Sequence, residues 1–456
     1  MTRAKTSPLL GLLLISTVAF LAVGCGRPGE GAPKTPAPGW TWTPPTWEPT
    51  ATPFPTMTPP PPLPKMSTVT LEPAGGPAGD GYLPDGIYLA DALTGQAYRV
   101  VTAPGPVLQV SQWVSPTQLV LFAWGPTDYS YYLLDLDAKT LRRLPVRADG
   151  GAVSFSHSSG LMTSTGPAGE LIISSIADGR EVARVANGPA SMPHGGPYLS
   201  WAPDDKHIFF RSADGTGEAI VSVESSPVVI PVTAWNNVGA PPWMPDGSAI
   251  VMGDADSLFS VDATTGETAR LYSWQAGGTM PPRSPSISPD GRYAFAMTGA
   301  GPGGHAYVVP LDGSSGGFQI TNVETLDSDW STAEDVLGVI ADRCTEEARL
   351  LLVTPDGTVR ATFNDASFIP RFSANGQMLA YVGGHPAKAG VGNEWGIVVR
   401  SATGDHDFIS FIPNVFDDTV WSPDGRWFAG SSGGWGPPYM NSCATGLPKT
   451  EIAPLQ

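Results

Sequence analysis

The sequence is short of cysteine, histidine, positive charge and apolar runs. Its three cysteines, Cys25, Cys344 and Cys443, stand far apart. The six histidines (His157, His194, His207, His305, His385 and His406) show no metal spacing such as H-x-x-x-H. With 25 Lys plus Arg against 42 Asp plus Glu the net charge is −17, which argues against nucleic acid or anionic lipid surfaces as partners. One apolar run, residues 9–23, occurs near the start, and nothing after it is long and apolar enough to cross a bilayer. No helix-period pattern lies between the turn signals of the remaining chain.

What the chain does have is one phrase, repeated. Trp421-Ser422-Pro423-Asp424-Gly425 is clearest, and it returns as Trp201-Ala202-Pro203-Asp204-Asp205, Trp243-Met244-Pro245-Asp246-Gly247 and Ile287-Ser288-Pro289-Asp290-Gly291. Eroded copies begin at Trp113, Phe155, Trp330 and Phe372. The leading positions 113, 155, 201, 243, 287, 330, 372 and 421 are spaced by 42 to 49 residues, the period of a propeller or solenoid. Within a repeat, Pro423 pre-sets a tight turn, Asp424 can accept from the backbone ahead, and Gly425 takes the left-handed conformation that closes it. An apolar strand follows, and then a second hairpin such as residues 258–271. Two hairpins per period make a four-stranded blade, so the fold class is all-β: a β-propeller of eight blades, with seven as the alternative. The leading aromatic of each repeat is expected to pack between blades. Nine outer hairpins accompany eight inner ones. Either residues 86–101 complete the blade begun at Trp421, which is the favoured closure, or the tail around Tyr439–Gly446 does so.

Residues 1–24 read as an export signal, with Arg3 and Lys5 before the apolar run and small residues at its end. Leu21-Ala22-Val23-Gly24-Cys25 resembles the bacterial lipoprotein box, which implies lipid on Cys25 and an extracytoplasmic location on the cell membrane. Residues 25–66 form a Pro/Thr-rich linker of polyproline II character, and 67–456 are assigned to the propeller. With Cys25 lipidated, Cys344 and Cys443 remain as an even pair that an oxidising compartment would allow to bridge.

Motifs for chemistry are weak. Gly313-Ser314-Ser315-Gly316-Gly317 matches G-x-S-x-G, but it sits in a hairpin with no helix after it. Gly299-Ala300-Gly301-Pro302-Gly303-Gly304 matches G-x-G-x-x-G, yet it holds a proline and leads into a strand. Asp254-Ala255-Asp256 is too short a series for a calcium loop. No catalytic residue, metal or cofactor is therefore assigned. Three long loops that follow inner hairpins are better candidates for binding, because Trp, Tyr and Gly concentrate there. They carry Trp124, Tyr129 and Tyr131; His385 and Trp395; and Trp435 and Tyr439.

The Trp-Ser-Pro-Asp-Gly phrase, its apolar strand and its period resemble the WD40-like PD40 repeats of TolB-type β-propellers, over the whole chain after the linker. That resemblance implies a scaffold contacting a protein or a ligand, and it transfers no catalytic residue; the chain is expected to be a monomer. The expected function is a lipid-anchored, non-catalytic interaction scaffold. The alternatives are a propeller binding a cell-envelope glycan or small ligand, and a lyase or glycosidase with its site in the central channel, near Ser111, Ser154, Ser200, Ser286, Asp329 and Arg371.

Overall fold

A computed structural model describes residues 66–74, 86–102, 107–124, 129–146, 153–167, 169–186, 199–211, 217–224, 227–232, 241–253, 257–273, 283–298, 305–314, 316–321, 328–342, 348–384, 395–402, 408–413, 417–432 and 451–454. All of them fall in the unit Thr58–Gln456. They are strands and turns, without a helix.

Four strands come first: β1 (Met66–Thr68), β2 (Thr70–Pro73), β3 (Gly86–Asp91) and β4 (Gln96–Val101). Blade 1 follows with β5 (Leu108–Ser115), β6 (Gln118–Trp124), β7 (Tyr129–Asp135) and β8 (Thr140–Arg143). Blade 2 is β9 (Val153–Phe155) to β12 (Glu181–Val185), with β10 (Leu161–Thr165) and β11 (Leu171–Ser175) between. Blade 3 holds β13 (Leu199–Trp201), β14 (His207–Arg211), β15 (Glu218–Ser222) and β16 (Val229–Val232). Blade 4 has β17 (Ala249–Gly253), β18 (Ser257–Asp262) and β19 (Thr268–Ser273). Blade 5 comprises β20 (Arg283–Ile287), β21 (Tyr293–Thr298), β22 (His305–Pro310) and β23 (Phe318–Thr321). Blade 6 is β24 (Ser328–Trp330), β25 (Leu337–Ala341), β26 (Arg349–Val353) and β27 (Val359–Phe363). Blade 7 is β28 (Ala366–Phe372), β29 (Met378–Gly384), β30 (Trp395–Ser401) and β31 (Phe408–Pro413). β32 (Asp417–Trp421) and β33 (Trp427–Ser432) join β3 and β4 as blade 8, and β34 (Glu451–Pro454) completes the set.

These strands make eight antiparallel sheets. Each sheet is hydrophobic on two faces, and eight apolar clusters fill the spaces between them. Val120 and Leu133 of blade 1 meet Phe155 and Met162 of blade 2. The next clusters join blades 2 and 3, 3 and 4, 4 and 5, 5 and 6, 6 and 7, and 7 and 8. The last joins Leu89 and Trp427 of blade 8 to Trp113 and Leu119 of blade 1, so the ring is closed. It is an eight-bladed β-propeller. At ~1.5–3 kcal/mol per large buried side chain, these interfaces are where its stability arises.

Closure uses two distant parts of the chain. The eighth sheet runs β2-β4-β3-β33-β32, with Tyr88 opposite Gly430 and Leu89 opposite Ala429. Residues 86–101 thus complete the blade begun at Trp421, the closure the hairpin count favours; the tail alternative at Tyr439–Gly446 lies outside the described residues. Arg426 bonds the Asp91 carboxylate at 3.1 Å across this junction.

Three sheets carry a fifth strand. β1 pairs with β8 on the outside of blade 1, β2 with β4 on blade 8, and β34 with β23 on blade 5. Val69, between β1 and β2, is 3% exposed and belongs to the blade 8–blade 1 cluster. Blade 4 departs the other way. Its inner strand is reduced to one bridge, Trp243 to Ile250, because Pro241 and Pro242 before it offer no N–H to a ladder.

The repeated phrase forms the turn between the two inner strands of a blade. Ser422 Oγ donates to Asp424 Oδ1 (2.5 Å) and accepts from Trp427 N (2.8 Å), while Arg426 N donates to Asp424 Oδ1 (3.1 Å). Gly425 has φ 72°, the left-handed value expected. Ser288 with Asp290, and Ser373 with Asn375, repeat the arrangement.

Candidate functional site

Let the strands of a blade run a to d from the centre outward. Because they alternate in direction, a–b and c–d turns leave one face of the ring, and b–c loops and d–a crossings leave the other. All the Ser-Pro-Asp-Gly corners are a–b turns. Two of the aromatic loops picked out in the sequence are b–c connections, of blades 1 and 7, and the third follows strand b of blade 8, so all three start from the opposite face.

The corner face is bonded from blade to blade. Blade 2 has Ser156-His157-Ser158-Ser159 in place of the usual phrase, with no aspartate of its own. Asp205 of blade 3 serves there instead. It stands where the corner glycine would be, at φ 56°, and is buried. Its carboxylate accepts His157 N (2.7 Å), Ser158 N (2.7 Å), Ser158 Oγ (2.8 Å) and Ser159 N (2.8 Å). Burial pushes this carboxyl upward, but the four donors outweigh it and hold it below the ordinary carboxylate range. Gly247 abuts the neighbouring corner: a Cβ there would lie 2.6 Å from Asp204 Cγ. Between blades 5 and 6, Arg292 bridges Asp290 and Asp335. Thr332 Oγ1 of blade 6 donates to Ala374 O of blade 7 at 2.5 Å.

The inner strands are bonded too, by a rule. The leading Trp of a repeat donates its Nε1–H to the residue just before the leading position of the preceding blade. Trp243 reaches Ser200 Oγ (3.1 Å), Trp330 reaches Ser286 Oγ (3.2 Å), Trp421 reaches Arg371 O (2.9 Å) and Trp113 reaches Val420 O (3.3 Å). Trp201 departs from it, since its buried Nε1 has no partner among the described residues. Asp329, at the same position in blade 6, accepts Phe372 N at 2.6 Å. Burial drives its carboxyl up to about 6, against the lowering charge of Arg371 and the backbone bonds. Of the inner-strand residues considered for a channel site, Ser200, Ser286 and Asp329 therefore use their polar atoms between blades.

A buried polar group lies between blades 6 and 7. Arg400 Nη2 holds Asp365 Oδ2 at 2.8 Å, and Tyr381 OH donates to Asp365 Oδ1 at 2.9 Å. The guanidinium lies 5.2 Å from the Phe363 ring centroid. Tyr381 is fully buried, and burial first and the Asp365 charge second raise its phenol far above the usual range. The carboxylate is thus held by both Arg400 and Tyr381, while Arg400 Nε is buried without a hydrogen-bond partner among the described residues.

On the b–c face, Trp124 ends β6 and Tyr129 begins β7, directly paired across the hairpin. Trp395 begins β30, opposite Gly384 of β29. In blade 8 the same edge is the pair Ser432–Gly86, where β33 ends and β3 begins. Blades 7, 8 and 1 are consecutive in the ring, so these three edges are neighbours. Tyr131 is set one turn inward: it is half-buried, with its ring 5.7 Å from Phe155 in the blade 1–blade 2 interface. His385, Trp435, Tyr439, Cys25, Cys344, Cys443 and the Asp254–Asp256 pair lie outside the described residues. Ser315, the serine of the G-x-S-x-G match, lies outside the described residues; its neighbour Ser314 lies in the c–d turn after β22, where its N–H donates to Asp312 Oδ1 at 2.8 Å. Among the described residues, no three His, Cys, Asp or Glu side chains gather to hold a metal ion.

No family model matches the chain, and no curated protein does. Solved structures do. The chain is similar to the β-propeller domain of Cps50 (Swd1) from Myceliophteria thermophila, at 13% identity and TM-score 0.39, over 70% of this chain and 95% of that one. It is similar to TolB from Acinetobacter baumannii at 16% identity and TM-score 0.32, over 72% and 79% of the two chains. A putative TolB from Agrobacterium tumefaciens matches at 18% identity and TM-score 0.34, over 77% and 99%. These are likenesses of fold; the number of blades rests on the chain's own strand pairing.

Proposed function

We propose that this eight-bladed propeller is a non-catalytic scaffold that binds a protein partner through the b–c face of blades 7, 8 and 1, and that lipid on Cys25 holds it on the outer side of the cell membrane. One observation carries the binding reading: the b–c edges of blades 7 and 1, which carry Trp395 and the Trp124–Tyr129 pair, flank the blade 8 edge, whose strand β33 ends three residues before Trp435 in the sequence. Loops on a rigid scaffold, rich in Trp, Tyr and Gly, offer contact area at low entropic cost. The opposite face and the inner strands commit their polar groups to blade-to-blade bonds, which leaves less there for a partner. The reading of Cys25 rests on the sequence box alone.

The test is affinity capture from a cell-envelope extract by the lipid-free domain, against a Trp395→Ala/Trp435→Ala variant of unchanged melting temperature. A partner that the variant loses at least tenfold supports the scaffold. A glycan-array signal lost in the same variant, with no protein captured, favours the glycan reading. Equal capture by both forms overturns this choice of face. Separately, Cys25→Ser should move the protein from the membrane to the soluble fraction, and continued sedimentation with membranes would remove the anchor.

A further inference from the structure

β34, like β1 on blade 1, is not joined to its sheet by the adjacent sequence. The strand before it, β33, lies in blade 8, whereas β34 adds to blade 5, three blades round the ring. Eighteen residues, 433–450, intervene. Its four residues pair with β23 alone among the described strands: Phe318 with Pro454, Gln319 with Ala453, Ile320 with Ile452 and Thr321 with Glu451. Three of the four are exposed, and Ile452 is half-buried on the blade 5–blade 6 cluster.

The place Ile452 occupies is shaped for such a side chain. Gly357, in the c–d turn of blade 6, has φ 87°, and a Cβ there would lie 3.3 Å from Ile452 Cγ2 and 3.4 Å from Phe318 Cγ. Thr354 and Asp356 pin that turn, Thr354 Oγ1 donating to Asp356 Oδ1 at 2.5 Å and Thr358 N to the same oxygen at 3.0 Å. The result is a sheet edge offering backbone partners, beside a notch for one branched apolar residue. The chain fills such edges elsewhere in the same way. β2, Thr-Leu-Glu-Pro, has the burial pattern of β34, Glu-Ile-Ala-Pro: one half-buried apolar second residue and an exposed proline at the fourth.

We propose that the outer edge of blade 5 is a strand-acceptor site for an extended segment of a protein partner, and that Glu451–Pro454 occupies it in cis. The partner segment runs antiparallel to β23, places an Ile or Val in the notch walled by Gly357 and Phe318, and exceeds four residues. Strand addition of this kind draws affinity from main-chain bonds and specificity from the anchor pocket. A four-residue strand held through eighteen residues competes at an effective concentration of order millimolar, so a longer partner strand can replace it. This site is apart from the b–c face, and its test does not depend on that reading.

The probe is a fluorescent peptide of residues 449–456, titrated by anisotropy against the full chain and against its Ile452→Asp variant. The variant, with its notch emptied, should bind the peptide at least tenfold more tightly than the unaltered chain, and a peptide carrying Ile452→Asp should not bind. Hydrogen exchange on the unaltered chain covers the case of a variant that folds poorly: the Glu451–Ala453 amides should exchange at least 100-fold faster than those of β21 and β22. An opened variant that folds but ignores the peptide, or β34 amides as protected as the central strands, would overturn the proposal.

Discussion

Blade 8 and blade 4 face each other across the ring and are built in opposite ways. Blade 4 is local, three strands within residues 249–273 and one bridge ahead of them. Blade 8 is the least local, since β33 lies against β3 with Arg426 and Asp91 separated by 335 positions. It is also one of the three sheets with five strands, and Val69 plugs its joint with blade 1. Local pairing needs little reinforcement, because closing a short loop costs little entropy. A junction that must bring together the two extremes of a ring pays the long closure once and is backed by extra strands.

The largest expected effect breaks this comparison at its strong side. Deleting residues 66–101 removes four strands, including the latch β3, and the chain should lose its cooperative unfolding transition altogether. Leu89→Ala and Ile250→Ala, both at fully buried positions, should each cost about 2–5 kcal/mol, but the Leu89 change alone should also expose the ring seam to proteolysis. Urea denaturation followed by tryptophan fluorescence measures the first, and limited proteolysis the second. If a chain without 66–101 unfolds cooperatively, blade 8 is not the latch.

Next is the inter-blade aspartate on the far side. Asp205→Ala strands three backbone N–H groups of blade 2 and should cost about 2–4 kcal/mol at pH 7. The folded-state carboxyl lies below its unfolded value, so its contribution is fully present above the ordinary carboxylate pKa and is lost as pH falls through the folded value. The gap between wild type and variant in urea should therefore shrink towards pH 3. Asp329 has the opposite sign. With its folded value near 6, the folded state binds the proton more tightly, so wild type should lose stability relative to Asp329→Asn as pH rises from about 4 to about 6. A gap that is flat over that range would contradict the burial of this group.

The smallest effect sharpens the comparison. Trp113→Phe removes a donor to Val420 O at the seam, and Trp243→Phe removes one to Ser200 Oγ beside blade 4. Each should cost about 1 kcal/mol. Similar midpoint shifts for the two would mean that the inner belt of indole bonds is uniform even where the outer strands are not.

Much of this was legible in the sequence because the phrase is architectural. Pro423, Asp424 and Gly425 each act locally, so a turn written in five residues repeats visibly at four corners and in eroded form at the other four. Counting hairpins showed that one end of the chain has to complete the last blade and favoured residues 86–101 over the tail, and β3 and β4 do complete it. The fifth strands did not show, because three or four residues carry no periodic signal, and two of the three end in proline. The trans role of Asp205 left a trace, an aspartate in a glycine position one repeat after a corner lacking its own, but only the fold makes those two facts adjacent. The indole rule left one as well, a serine just ahead of the leading position one repeat before a tryptophan. Of the loop aromatics, Tyr131 packs against Phe155, and neither loop length nor composition distinguishes such a residue from one at the rim.

The short strands β1 and β2 give the molecule a mechanical character. A pull arriving through the residues ahead of Met66 meets the three-residue ladder to β8, then the buried Val69, then the β2–β4 pairing, before any force reaches β3. These short strands therefore behave as fuses in series: the weak outer links yield first, pay out chain and spare the circle.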